Sequence, residues 1–211
     1  MPEYGDKSYW VDRYNKEPNT SFDWYITYVN LKEALEPFLR EDSKILVVGC
    51  GNSRLSHQLY EDGFKHVTSI DIADVVIEQM SNKYNQTAPE LEWLVMDICK
   101  LDFPSETFDI VIDKGTIDAL LCGQDSFDTV YRAHREIHRV LKPDSGVYIN
   151  ISYGHSHSRL IHFTKPGLWT DSGIEEISIS KSSLGLEETH DVASNNFYIY
   201  VMKQNNLVED N

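Results

Sequence analysis

Short apolar runs alternate along this chain with stretches in which apolar residues recur every three or four positions. The first run, Ile45–Val48, is uninterrupted, rich in β-branched residues and ended by Gly49, which predicts a central strand buried on both faces. Val67–Ile70, Leu91–Met96, Phe108–Ile112 and Val147–Ser152 predict four further strands. Helical spacing falls between them. It is carried by Leu55 with Leu59, by Val76, Met80 and Tyr84, and by Val130, Ala133, Ile137, Val140 and Leu141 ahead of Pro143. The Lys114-Gly115-Thr116 turn leads into a short helix through Leu121, closed by Gly123, and Gly63 fits the position just past the first helix. This order predicts an α/β fold, a doubly wound and mostly parallel sheet with helices on both faces. Ile174–Ser180 and Phe197–Met202 add two closing strands, antiparallel at one sheet edge, which makes seven.

The N-terminal stretch differs in texture. Residues 1–8 read as frayed, and Trp10 and Tyr14 then lie four apart, on one face of a short helix. Trp24, Tyr28, Leu31 and Leu35 keep helical spacing, Asn30 with Glu33 has the form of a capping box, and Pro37 ends or kinks the helix. Packing accounts for most of this aromatic material; the functional alternative is a helical lid over a ligand at the sheet edge. The expected organisation is a single domain over 1–211, with an aromatic lid segment at 1–40, a core at 41–202 and a polar, disordered tail at 203–211. No internal repeat is visible.

Composition narrows the function classes. Acidic residues number 34 against 19 basic ones, a net charge of −15, which argues against a nonspecific nucleic-acid binder and permits a basic protein partner. No apolar run is long enough to cross a membrane, and Met1–Asp6 has neither a basic nor an apolar leader segment, so a cytoplasmic protein is expected. Cys50, Cys99 and Cys122 show no paired spacing and read as buried thiols in a reducing compartment.

The candidate chemistry gathers at the carboxyl ends of the strands, where open α/β sheets bind ligands. Gly49 and Gly51 let the backbone turn sharply and approach a ligand, and Asn52 and Ser53 can cap the helix that follows. About twenty residues on, Asp71 stands where an acid can bind both hydroxyls of a ribose. Asp97 and Asp113 end the next two strands, the first placed for an adenine amino group, the second further toward the chemistry. A dinucleotide site is the rival, but the third glycine of its series is replaced by Arg54, which favours a smaller, phosphate-free nucleoside such as S-adenosylmethionine.

Four segments together resemble the successive motifs of seven-stranded, Rossmann-like S-adenosylmethionine-dependent methyltransferases. They are Val48–Ser53, Val67–Asp71, Met96-Asp97 with Leu101–Pro104, and Phe108–Leu120. The last contains Asp113-Lys114-Gly115-Thr116-Ile117-Asp118-Ala119, which is similar to the most specific signature of the subgroup holding the methyltransferase-like-thirteen proteins and the lysine methyltransferases of elongation factor 1-alpha. Tyr9–Tyr14 and Phe22–Tyr25 match that subgroup's N-terminal segment, and Tyr153-Gly154 with His157 and Arg159 resembles its loop after strand five. The resemblance implies Gly49 at the methionine portion of the cofactor, with Gly51 in the same cofactor-binding turn, Asp71 and Ile72 on ribose and adenine, and Asp97 and Ile98 on the adenine edge. It implies Trp10, Tyr14, Trp24 and Lys114 closing over the methionine end. Two features depart from the pattern: Val47 replaces a common acid, and Lys142–Gly146 lacks a double glycine.

Methyl transfer asks for a neutral nucleophile held in line and for the exclusion of water. On this reading Asp113 is the catalytic candidate, receiving or positioning an ammonium, with Asp118 beside it. The implied acceptor is a lysine on a basic protein, elongation factor 1-alpha by resemblance, without direct nucleic-acid contact. A small-molecule methyltransferase and a non-catalytic cofactor-binding module are the alternatives. His155, His157 and His162 lie in a polar stretch without cysteine partners, so loop or rim roles are expected for them and no metal.

Overall fold

The structure, a computed structural model, describes residues 3–18, 20–165, 167–187 and 195–204. Its centre is one seven-stranded sheet in the order β3-β2-β1-β4-β5-β7-β6. The strands are β1 (Ile45–Val48), β2 (Val67–Asp71), β3 (Glu92–Val95), β4 (Ile110–Lys114), β5 (Val147–Ser152), β6 (Ile174–Ser180) and β7 (Asn196–Lys203). The first five are parallel, and β7 runs antiparallel between β5 and β6. The chain order reverses between β1 and β4, which opens the crevice where such folds take ligands.

The central strands β1, β2 and β4 are buried on both faces, and alternate residues serve opposite cores. Ile45, Val47, Ile110, Ile112, Ile149 and Ile151 pack with α1 (Lys7–Lys16), α2 (Tyr28–Leu35), α3 (Leu55–Glu61) and α4 (Asp74–Tyr84). Leu46, Val48, Val111 and Tyr148 pack with α5 (Thr116–Leu120), α6 (Ser126–Val140) and α7 (Ser156–Thr164). Val130, Ala133, Ile137, Val140 and Leu141, the expected apolar stripe of α6, are all fully buried. Each large aliphatic side chain so buried stabilises the fold by about 1.5–3 kcal/mol.

Several sequence expectations change here. The N-terminus is not frayed from residue 3 onward: Asp6 caps α1, its carboxylate accepting the Ser8 N–H at 2.7 Å, and Tyr4 O accepts the Trp10 indole N–H at 2.7 Å. Helix α2 begins at Tyr28 after Thr27, so Asn30 lies inside it, no capping box forms, and Trp24 belongs to the preceding loop. Residues 156–164, expected as a polar loop, form α7, with His155 at its N-cap accepting the His157 N–H through Nδ1 at 3.1 Å. Only Cys50 is buried; Cys99 is half-buried and Cys122 exposed. Of the expected tail, Lys203 ends β7 and Gln204 follows, whereas 205–211 lie outside the described residues. No helix among the described residues is long and apolar enough to cross a membrane.

Candidate functional site

The β1–α3 turn begins the site. Gly49 and Gly51 both take left-handed backbone angles, φ +57° and +51°, which a Cβ would strain. Space is closed as well: a Cβ on Gly49 would lie 2.1 Å from Thr116 Oγ1, and one on Gly51 would lie 2.7 Å from the Tyr14 hydroxyl. Thr116 in turn donates its hydroxyl to Val48 O at 3.0 Å, so the Lys-Gly-Thr turn after β4 locks onto the glycine turn after β1. Ser53 accepts the Leu55 N–H at 3.1 Å at the head of α3. Asn52 does not cap; its amide donates to Thr20 O and Oγ1 at 3.3 and 3.1 Å, which ties the lid loop to the turn.

Asp71 ends β2 beside this turn. One carboxylate oxygen accepts the Gly51 N–H and the other the Ala73 N–H, both at 2.9 Å. Burial pushes its pKa up, opposed by these N–H groups. Each oxygen keeps acceptor capacity toward the crevice. Asp97 is exposed and accepts the Cys99 N–H at 2.8 Å, which turns the chain so that buried Ile98 faces inward.

The lid is an aromatic cluster. Trp10 stacks on Tyr14 with centroids 6.0 Å apart, Trp24 meets Trp10 edge-on at 6.2 Å and Tyr4 at 5.7 Å, and the Arg13 guanidinium sits 5.4 Å over the Trp24 ring. Lys114 fastens this lid to the sheet. Its ammonium lies 3.0 Å from Asp23 Oδ1 and donates to Trp24 O at 3.2 Å, while the Ser53 hydroxyl donates to the same Asp23 oxygen. Burial lowers the Lys114 pKa, and the charge of Asp23 works against that shift.

Ten expected cofactor residues line one cavity of about 320 Å³: Trp10, Tyr14, Trp24, Gly49, Gly51, Asp71, Ile72, Asp97, Ile98 and Lys114. Asp113 does not, which corrects its expected role at the reacting groups. It stands within β4, on the face opposite that of Lys114, and is fully buried. Its carboxylate accepts the Asn150 amide at 2.6 Å, the Tyr148 hydroxyl at 3.2 Å and the N–H groups of Thr116 and Ile117 at 2.8 and 3.3 Å. Burial pushes its pKa up to about 6 despite the Thr116 N–H. It therefore holds the start of α5 from beneath the sheet.

The acid that lines the cavity at this end is Asp118. It accepts the Tyr25 hydroxyl at 2.9 Å, the Ser152 hydroxyl at 2.7 Å, the Tyr153 N–H at 2.9 Å and Arg159 Nε at 2.9 Å. A carboxylate with four donors and a paired guanidinium organises its surroundings rather than standing free to escort an ammonium. Sequence reasoning missed Tyr4, Gly5, Asp6, Lys7 and Cys122, which line the cavity together with Asn52, Ser53 and Met96. The Asp6-x-Ser8 cap ahead of an aromatic helix was the available signal for the first four. Among the described residues, no three His, Cys, Asp or Glu side chains are grouped to hold a metal.

A family profile described as a methyltransferase domain matches residues 46–149, which spans β1 to β5. The chain is 36% identical over 172 residues to EEF1A lysine methyltransferase 4 of Mus musculus, covering 77% of this chain and 67% of that protein. It is 39% identical over 170 residues to the eEF1A lysine and N-terminal methyltransferase of Mus musculus, covering 78% of this chain but only 24% of that longer protein. The fold also matches phospholethanolamine N-methyltransferase 2 of Haemonchus contortus, solved with phosphomonomethylethanolamine and S-adenosylhomocysteine, with a TM-score of 0.64 at 14% identity over 92% of this chain and 57% of that one. The chain belongs to the methyltransferase family that contains the eEF1A lysine methyltransferases, on the seven-stranded fold of S-adenosylmethionine-dependent enzymes.

Proposed function

We propose that this chain is a cytoplasmic S-adenosylmethionine-dependent protein-lysine methyltransferase whose acceptor is a basic protein, translation elongation factor 1-alpha. The observation that carries the reading is the convergence of the glycine turn, Asp71, Asp97 and the aromatic lid on one cavity. The acceptor is inferred from the names of relatives such as EEF1A lysine methyltransferase 4.

The residues present fit the cofactor. Gly49 and Gly51 leave backbone where side chains would fill the cradle. Asp71 has acceptor capacity for ribose hydroxyls, and Ile72, Asp97 and Ile98 border the place of the adenine. Trp10, Tyr14 and Trp24 offer ring faces that attract a sulfonium. Val47, where many relatives of the fold carry an acid, also lines the cavity, so the amino group of the methionine portion has to find another partner. Bound there, S-adenosylmethionine supplies a methyl group on positively charged sulfur.

The protein's own contribution is position and dryness. Lys114 pins the Asp23-Trp24 loop down and excludes water from the methionine end. A lysine acceptor, with an ordinary pKa of about 10.4, must reach the methyl as a neutral amine. Loss of hydration in the closed cavity disfavours its charged form, so the proton leaves to solvent as the side chain enters. Asp118 acts through Tyr25, Tyr153 and Arg159, setting the wall past which the side chain slides.

The test is reaction of the purified chain with labelled S-adenosylmethionine and purified elongation factor 1-alpha, with lysines scanned by mass spectrometry. Methyl groups on a lysine of the factor, at a rate that falls as salt rises, are the expected outcome. Label appearing only on a small metabolite would replace this reading by the small-molecule one.

A further inference from the structure

Beyond the lid the cavity wall includes Tyr153, which follows β5, and beside Tyr153 stands Phe197, the second residue of β7, outside the cavity lining and only 5% exposed. Tyr153 lines the cavity and is 41% exposed, so its ring joins the interior to the surface. Tyr25 stacks against both rings, at 6.2 Å from Tyr153 and 5.8 Å from Phe197, each with an interplanar angle of 30°. The three rings come from distant parts of the chain, and one carboxylate fixes two of them. Asp118 accepts the Tyr25 hydroxyl and the Tyr153 backbone N–H, each at 2.9 Å. Tyr25 is further held with φ +68°, a left-handed conformation that a non-glycine residue keeps only where its surroundings impose it.

A cation already sits on this ledge. Lys181, just past the end of β6, places its ammonium 4.9 Å from the Tyr153 ring centroid and 5.5 Å from that of Phe197. Both lie within the ~6 Å over which a ring face attracts an ammonium. Among the described residues Lys181 forms no ion pair, so ring faces rather than a carboxylate meet its charge.

We propose that the Tyr153–Phe197 ledge is the docking subsite for the ammonium-bearing side chain of the acceptor, and that Lys181 holds it in the free protein until the acceptor displaces it. The proposal rests on the lysine-methyltransferase reading above. An acceptor lysine leaving water loses hydration before it loses its proton, and the ring faces replace part of that hydration at the mouth of the cavity. Because the displaced group is itself a lysine ammonium, the exchange conserves the interaction on the ledge. An acceptor without a cation has nothing to displace Lys181 with, so the same device discriminates against neutral and acidic side chains.

The ledge can be tested without a protein acceptor. In an NMR titration, n-butylammonium, the lysine side chain without its backbone, should shift the ring resonances of Tyr153 and Phe197, and Lys181→Ala should strengthen that binding roughly threefold to tenfold. With elongation factor 1-alpha as acceptor, Lys181→Ala should lower KM by a similar factor. Tyr153→Leu should raise KM with a smaller change in kcat, and Tyr153→Phe, which keeps the ring face, should restore the parent KM. Thermal denaturation of the Tyr153 variants reports whether the fold is retained. Absence of ring shifts in both the parent and Lys181→Ala, or KM values indifferent to Lys181→Ala and Tyr153→Leu, would overturn the proposal. Binding of n-butylammonium on the ledge together with an unmethylated elongation factor would support the ledge and overturn the assigned acceptor.

Discussion

The two ends of the cavity are built differently. At the β1–β2 end the backbone does the holding: two glycines in left-handed conformations, and Asp71 satisfied by the N–H groups of Gly51 and Ala73. At the β5 end a side chain does it: the Asp118 carboxylate gathers Tyr25, the adjacent Ser152 and Tyr153, and Arg159 from three stretches of chain. A site made of backbone is set by a few consecutive residues and suits a ligand that does not vary. A side-chain network can be rewired one residue at a time, which suits the end proposed to meet the acceptor.

The difference predicts how each end breaks. Gly49→Ala should have the largest effect, because it combines left-handed strain with a Cβ 2.1 Å from Thr116 Oγ1. Strain of about 1–2 kcal/mol and overpacking of about 1–3 kcal/mol sum to roughly 2–5 kcal/mol. Adding Thr116→Ala should recover the overpacking part, and denaturant melts of both variants measure it. Failure of the second substitution to recover anything would dissolve the link between the two turns.

Asp118→Ala should come next. It strands the Arg159 guanidinium, 17% exposed at the side chain, and leaves the Tyr25 and Ser152 hydroxyls without their acceptor. Removing one partner of a largely buried pair costs about 3 kcal/mol. Acceptor KM should rise while cofactor affinity changes little, provided the two ends are independent; an equal loss of both would merge them.

A smaller effect follows from acid. His134 is fully buried, donating Nδ1–H to His162 O at 3.1 Å, and burial lowers its pKa from the ordinary 6.5 to about 3. The unfolded chain takes up this proton first, so the contribution is whole above about pH 6.5 and is lost as pH falls toward about 3. Asp113 has the opposite sign. Its folded pKa is raised from 3.8 to about 6, so its contribution is whole at low pH and is lost as pH rises through that window. Removing the histidine as His134→Phe should therefore spare the protein about 1–2 kcal/mol of the stability it loses between pH 7 and pH 5, at ~1.4 kcal/mol per pKa unit. Thermal melts at the two pH values read this directly, and equal shifts in parent and variant would contradict it.

The smallest effect belongs to the lid seam. A Cβ on Gly5 would lie 2.4 Å from Gly123 Cα, a backbone atom that cannot swing aside. Gly5→Ala should hold the N-terminal turn off the α5–α6 turn and weaken cofactor binding by no more than about tenfold, ~1.4 kcal/mol, with little change in melting temperature. Truncation of the whole lid is a poorer probe, because Tyr14 is 4% exposed and part of the core.

The same contrast explains what the chain made legible. The strands, the glycine turn and Asp71 are encoded within short windows, and the count of seven strands follows from the alternation of runs and spacings. Asp113 was misjudged for a reason of register: β4 starts at Ile110 and runs through Lys114, so the acid falls inside the sheet and on the other face. Helix α7 was hidden by three histidines and two serines between His155 and His162, which carry no apolar stripe strong enough to mark a helix. Asp118 was noted beside Asp113, but its four donors come from positions 25, 152, 153 and 159, a contact set no local pattern contains.

Asp71 is the proposed hydrogen-bond acceptor for the nucleoside part of S-adenosylmethionine. Because its carboxylate also holds two backbone N–H groups, Asp71→Asn, which keeps one acceptor oxygen in place, isolates binding from folding better than Asp71→Ala. Calorimetric titration of S-adenosylmethionine into both proteins is the direct measurement. Hydrogen bonds to a charged acceptor contribute about 1.5–3 kcal/mol, so the parent should bind in the micromolar range and a folded Asp71→Asn protein roughly tenfold to a hundredfold more weakly. Equal affinity in the two proteins would contradict the assignment of this cavity to the cofactor.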